Sequence, residues 1–105
     1  FDMASRALDF GAEAVIAPMV NSVDDAQRFA AATKYPPLGE RSWGPTYAAP
    51  RHGSKDSVAW LHESNARTVS FAMVETHAAV AALDGILATP GIDGIFVGPG
   101  DFSIA

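Results

Sequence analysis

Three short apolar runs constrain this chain more than any other feature: AVIAPMV at Ala14–Val20, TVSFAMV at Thr68–Val74 and IDGIFVG at Ile92–Gly98. None alternates cleanly with polar residues, so each reads as a strand buried on both faces, the pattern of a parallel sheet. Helical stretches separate them. Ser22 is placed to cap a helix with Asp25 three positions on, and Val23, Ala26, Phe29 and Ala30 form its apolar stripe until Tyr35-Pro36-Pro37 stops it. Thr76 is placed to cap another, with Val80, Leu83, Ile86 and Leu87 on one face until Thr89-Pro90-Gly91. The chain opens on a helix end, ASRALDFG, where Gly11 suits the left-handed position past a C-terminus. The order helix, strand, helix, strand, helix, strand predicts an α/β fold with right-handed crossovers.

One segment breaks this rhythm. Residues 36–53, PPLGERSWGPTYAAPRHG, hold four prolines and three glycines without a period. A loop of that length in a compact domain has a function or is mobile. A further helix is expected at about Lys55–Asn65, with Val58, Leu61 and Trp60 as its inward candidates.

Composition narrows the function classes. Among 105 residues, 49% are hydrophobic and 18% charged, the balance of a globular domain, and no run approaches the roughly 20 apolar residues of a spanning helix. A net charge of -5 with scattered Lys and Arg offers no basic stripe for nucleic acid. The absence of cysteine removes disulfides, thiolate metal sites and cysteine nucleophiles. Cytoplasm is the default compartment, in the absence of a signal sequence in the chain.

Ligands of parallel α/β folds bind beyond the carboxyl ends of the strands. Two acids fall there: Glu75 closes TVSFAMVE, and Asp101 follows GIFVGPG. Two strand-end carboxylates that converge suit a hard cation, with water and substrate oxygens completing its shell. Acids at helix starts, stabilised by the helix dipole, explain the same two residues equally well. Gly98 and Gly100 would let backbone N–H groups approach an anion, although a plain turn also accounts for them. Other chemistries lack parts. Lys34 and Lys55 fall in polar helix or loop segments, unsuited to a Schiff base inside a barrel. His52, His62 and His77 have no ligand spacing, and no G-x-S-x-G, Walker or Rossmann pattern occurs.

Taken together, LDFGAEAVIAPMVNSVDDAQRFAAATKYPPLGERSWGP, MVET and PGIDGIFVGPGDFS resemble the HpcH/HpaI aldolase family, in that family's order and over most of the chain. The resemblance implies a (β/α)8 TIM barrel, of which this chain holds about three βα units as a central fragment spanning residues 1–105. A full barrel takes about 250 residues. It also implies a divalent cation, Mg2+ or Mn2+ with Co2+ as a further candidate. The implied reaction is carbon–carbon cleavage of a 4-hydroxy-2-oxo acid to pyruvate and an aldehyde through a metal-stabilised enolate. On this basis Glu75 and Asp101 match the metal carboxylates, Gly100 matches the backbone position that holds the pyruvate carboxylate, and Asp101 lies beside that group. Asp9 in LDFG matches an acid that supports a catalytic histidine. That histidine and a charge-stabilising arginine lie upstream in the family. Neither His52 nor Arg51 stands in a matching context, so the fragment by itself is expected to be inactive. Homo-oligomers, commonly hexamers, are implied, with the 2-oxo acid and aldehyde as small-molecule partners and neither nucleic acid nor membrane.

One departure bears on substrate. Better-known members carry glutamine two residues before the metal glutamate, where this chain has Met73. On a strand Met73 and Glu75 share a side, so an amide donor gives way to an apolar wall. Methionine as a gap-filler is the plain alternative. Two rival readings remain: a citrate-lyase-like or malyl-thioester lyase of the same superfamily, and a non-catalytic fragment that keeps the carboxylates without the base. The YPPLGERSWGP loop favours the aldolase branch, and Arg41 and Trp43 within it are expected to pack or to form an interface.

Overall fold

The computed structural model describes residues 2–42 and 63–104, apart from the side chains of residues 2 and 101–103. A helix α1 (Asp2–Asp9) leads into strand β1 (Ala14–Ala17) and helix α2 (Val23–Thr33). After a helical turn at residues 63–67, strand β2 (Val69–Val74) is followed by short helices α3 (His77–Ala81) and α4 (Leu83–Leu87), strand β3 (Gly94–Val97) and helix α5 (Pro99–Ile104). The sheet has the order β1-β2-β3, and both pairings are parallel, with Ala17 opposite Ala72 and Met73 opposite Phe96. This is an α/β fold: part of a (β/α)8 barrel.

Local chemistry sets the element ends. Gly11 takes φ 113°, and the N–H groups of Gly11 and Ala12 close back onto Leu8 and Ala7, a left-handed helix stop as expected. Ser22 Oγ accepts from Asp25 N at 3.1 Å while the Asp25 carboxylate accepts from Asn21 N at 3.0 Å, a reciprocal cap displaced by one residue from the standard box. Strand β1 is shorter than its apolar run because Pro18 lacks an N–H and Met19 turns to φ 55°.

The stretch after Thr76 differs from the single helix expected. It divides at Ala82, whose φ of -95° and ψ of 6° leave the helical region. The inward side chains are Ala79 and Ile86, whereas Val80 and Leu87 face outward. The expected helix near Lys55–Asn65 lies mostly outside the described residues, as do Trp43, His52, Val58, Trp60, Leu61 and His62.

Alternation along β2 decides where the core lies. Ser70, Ala72 and Val74 are buried beneath the helices, and Ala72 joins Ala17, Val20, Ala26, Phe29 and Ile86 in one apolar cluster. The opposite face, which carries Ile16, Phe71, Met73 and Phe96, is only partly covered; Ile16 and Phe96 are 45% and 43% exposed. The expectation of burial on both faces therefore holds for one face here. Three strands cannot close on themselves, and closure is what buries a barrel's inner face.

Lys34 corrects a second expectation. It sits not in a polar segment but at 1% exposure, with Nζ donating to Thr68 O at 2.7 Å, Asn65 O at 3.1 Å and Asp93 Oδ2 at 3.0 Å. All three ammonium protons are used, at the edge where β2 and β3 begin, a face where such residues serve stability.

Candidate active site at the strand ends

The C-terminal edge of the sheet gathers three connections: β1 to α2, β2 to α3 and β3 to α5. A hydrogen-bonded chain ties the first two. Thr76 Oγ1 accepts from Ala79 N at 3.1 Å, capping α3, and donates to Asn21 Oδ1 at 2.7 Å. Asn21 in turn donates its N–H to Asp25. That contact, together with the Arg28 guanidinium and the Ser22 hydroxyl, holds the Asp25 carboxyl below the usual range, against the opposing effect of burial.

Glu75 sits at the centre of this edge and is 4% exposed. Its Oε2 accepts from the backbone N–H of Met19 at 2.7 Å, and Gly98 packs directly against its side chain. Among the described residues no cation pairs with it, and Oε1 accepts no hydrogen bond. One oxygen of this carboxylate is thus held by the backbone, and the other is left open to water or a cation. A carboxylate oxygen is the kind of hard donor that an oxygen-seeking cation takes.

Other expected site residues fall as follows. The backbone of Asp101 lies in the first turn of α5, directly beyond β3, so the topology brings it to the same edge as Glu75; its side chain is outside the described part. No group of three or more His, Cys, Asp or Glu capable of holding a metal gathers among the described residues. Gly100 is exposed, and an added Cβ there would meet nothing within 4 Å. Of these two glycines it is Gly98 that a close approach demands, since its Cβ would lie 2.6 Å from Glu75 Cγ. Met73 is half-buried on the side of the sheet where alternation also puts Glu75, with Phe96 opposite it in register. His77 opens α3 and is exposed.

The structure does not bring Asp9 to Glu75. Asp9 closes α1, at the edge where the strands begin, and β2 alone separates the two edges by roughly 20 Å at 3.3 Å per residue. Its Oδ1 accepts from Arg41 Nη2 at 2.7 Å, and the Arg41 guanidinium lies 4.3 Å from the Tyr35 ring centre. Arg41 is buried, so the expectation that it packs rather than catalyses agrees with its setting. Sequence reasoning missed Met19: its role rests on a backbone N–H and a positive φ, and the one hint was the preceding Pro18.

A model of the HpcH/HpaI aldolase/citrate lyase family matches residues 2–105. The hydroxypyruvate/pyruvate aldolase of Rhizorhabdus wittichii is 43% identical over 99 residues, covering 94% of this chain and 38% of that protein. The crystal structure of an HpcH/HpaI aldolase from Desulfitobacterium hafniense DCB-2 superposes with a TM-score of 0.85 at 35% identity, over 96% of this chain and 39% of that one. Citrate synthase SbnG superposes with a TM-score of 0.80 at 27% identity, over 96% of this chain and 37% of its own. The chain thus spans well under half the length of each.

Proposed function

Because this chain belongs to the HpcH/HpaI aldolase/citrate lyase family, we propose that it is the central part of a barrel whose parent is a metal-dependent aldolase. The parent would cleave a 4-hydroxy-2-oxo acid to pyruvate and an aldehyde. The observation that carries this reading is Glu75, a buried carboxylate with a single hydrogen bond at the C-terminal edge of a parallel sheet. The aldolase activity of the Rhizorhabdus relative supports the reaction class.

Glu75 and Asp101 would hold Mg2+, Mn2+ or Co2+, and the cation when bound would supply Lewis-acid polarisation of the substrate's keto group. Gly100, with Asp101 beside it, would position the substrate carboxylate through its backbone. Met73, backed by Phe96, would line the acceptor side with an apolar wall and exclude water from it. The proton-transfer base would come from outside this chain, in a parent that assembles as a homo-oligomer in the cytoplasm. A second reading, a lyase of citrate-like or malyl-thioester substrates, draws on the likeness to citrate synthase SbnG.

The test is pyruvate release from 4-hydroxy-2-oxo acids by the parent protein, with and without EDTA and added Mn2+ or Mg2+. Glu75→Ala and Asp101→Ala are each expected to lose about 1,000-fold in kcat/KM, equivalent to several kcal/mol of lost charge stabilisation. Turnover that survives chelation and both substitutions would refute the metal mechanism. Cleavage of thioesters in preference to free acids would favour the second reading.

A further inference from the structure

We infer that Gly98 and the backbone of Met19 form a clamp that commits one oxygen of Glu75 to the protein and presents the other, Oε1, as a single-oxygen metal ligand. What Oε1 is presented to rests on the reading above; the clamp itself rests on geometry. Glu75 is gripped from both neighbouring strands. On the β1 side, the Met19 N–H reaches Oε2 at 2.7 Å across 56 residues of sequence. Met19 is also the one non-glycine residue with positive φ among the described residues, at 55°. An L-residue held there is strained, and such strain persists where surrounding contacts over-determine it. The charge-assisted bond to Glu75 is the contact present.

On the β3 side, Gly98 is buried and donates its N–H to Val74 O at 3.1 Å. A Cβ at Gly98 would lie 2.6 Å from Glu75 Cγ, 3.2 Å from Cδ and 3.0 Å from Oε1. Its φ is not in the left-handed region, so glycine is needed there for room rather than for backbone freedom. The glutamate stem occupies the volume a side chain would take. Met19 and Gly98 are therefore positioning residues: they set which oxygen faces outward, as the outer partners of metal ligands do.

Two measurements on the parent protein separate the clamp from the metal reading. The first is Mn2+ affinity by electron paramagnetic resonance. The second is amide exchange of the peptide carrying Met19, read by mass spectrometry on metal-free protein. Gly98→Ala is expected to weaken Mn2+ binding about 10- to 100-fold and to speed Met19 exchange about 10- to 100-fold. Glu75→Asp, one methylene shorter, clears Gly98 but withdraws the carboxylate from Met19, so it should produce the same two changes and serves if Gly98→Ala does not fold.

If Glu75→Ala abolishes Mn2+ binding while Gly98→Ala and Glu75→Asp bind as wild type, the clamp is overturned and the metal reading stands. If Glu75→Ala binds Mn2+ as wild type, the metal reading falls. The clamp is then judged by exchange alone, and unaltered Met19 exchange in Gly98→Ala and Glu75→Asp overturns it.

Discussion

Removing Asp93 is expected to cost the parent protein more stability than removing the buried lysine it faces. The Lys34 side chain is 1% exposed, and its ammonium is saturated by two carbonyls and Asp93 Oδ2. Asp93 Oδ2 also accepts from Ser70 N at 2.8 Å, while the aspartate side chain keeps 40% exposure. Asp93→Ala leaves a buried cation without a counter-charge. Breaking one partner of a buried pair costs about 3–5 kcal/mol, and water reaching the half-exposed vacancy brings this to the lower end, about 3–4 kcal/mol with the lost Ser70 acceptor included. Lys34→Met keeps most of the stem's volume, deletes the buried charge and leaves Asp93 where water solvates it. Its cost is two under-satisfied carbonyls, about 1–2 kcal/mol. At about 2–4 °C per kcal/mol for a domain of 150–250 residues, thermal unfolding should fall by about 6–16 °C for Asp93→Ala and about 2–8 °C for Lys34→Met. The double variant should be less destabilised than the sum, since the second substitution removes the charge that the first stranded. A larger loss for Lys34→Met than for Asp93→Ala, or strict additivity, would refute this account.

Three further outcomes are expected. Asp25 has a folded pKa below its unfolded value, so its contribution is present above about pH 4 and lost as pH falls through the folded value; urea unfolding of Asp25→Asn should lack that acid-side decline, and an unaltered pH profile would count against the cap. Met73→Gln restores an amide to the apolar wall and should raise kcat/KM for a hydroxylated over an alkyl aldehyde by about 10-fold; no change in that ratio would assign Met73 to packing. Asp9→Asn weakens the one ion pair that the buried Arg41 side chain makes among the described residues and should lower thermal stability by about 2–3 kcal/mol with kcat unchanged, whereas lost kcat at unaltered stability would return Asp9 to support of a catalytic base.

Local features of this chain were readable wherever short-range chemistry decides them. The Ser22 cap, the Gly11 stop, the three parallel strands and the α2 stripe of Ala26, Phe29 and Ala30 follow from residue type and spacing, although Val23, expected on that stripe, is exposed. Glu75 and Asp101 were legible as strand-end acids because a strand's end is a local signal. The reading failed where two segments distant in sequence share one group. Lys34 looks solvated from its neighbours, yet Thr68, Asn65 and Asp93 take up its protons. The stripe through Val80 and Leu87 was misread because Ala82 re-aims the second helix, and the choice between Val80 and Ala79 depends on which side meets the sheet.

The sequence by itself determined that the chain forms βα units and which carboxylates stand at their ends, since periodicity, capping and chain breaks act over a few residues. Only the tertiary structure decided what Glu75 touches. Met19 meets Glu75 across 56 residues and Gly98 meets it from a neighbouring strand, through a backbone N–H that every non-proline residue has and a missing side chain that any turn would tolerate. Neither group carries a sequence signal of its own, because its effect comes from where the sheet puts it.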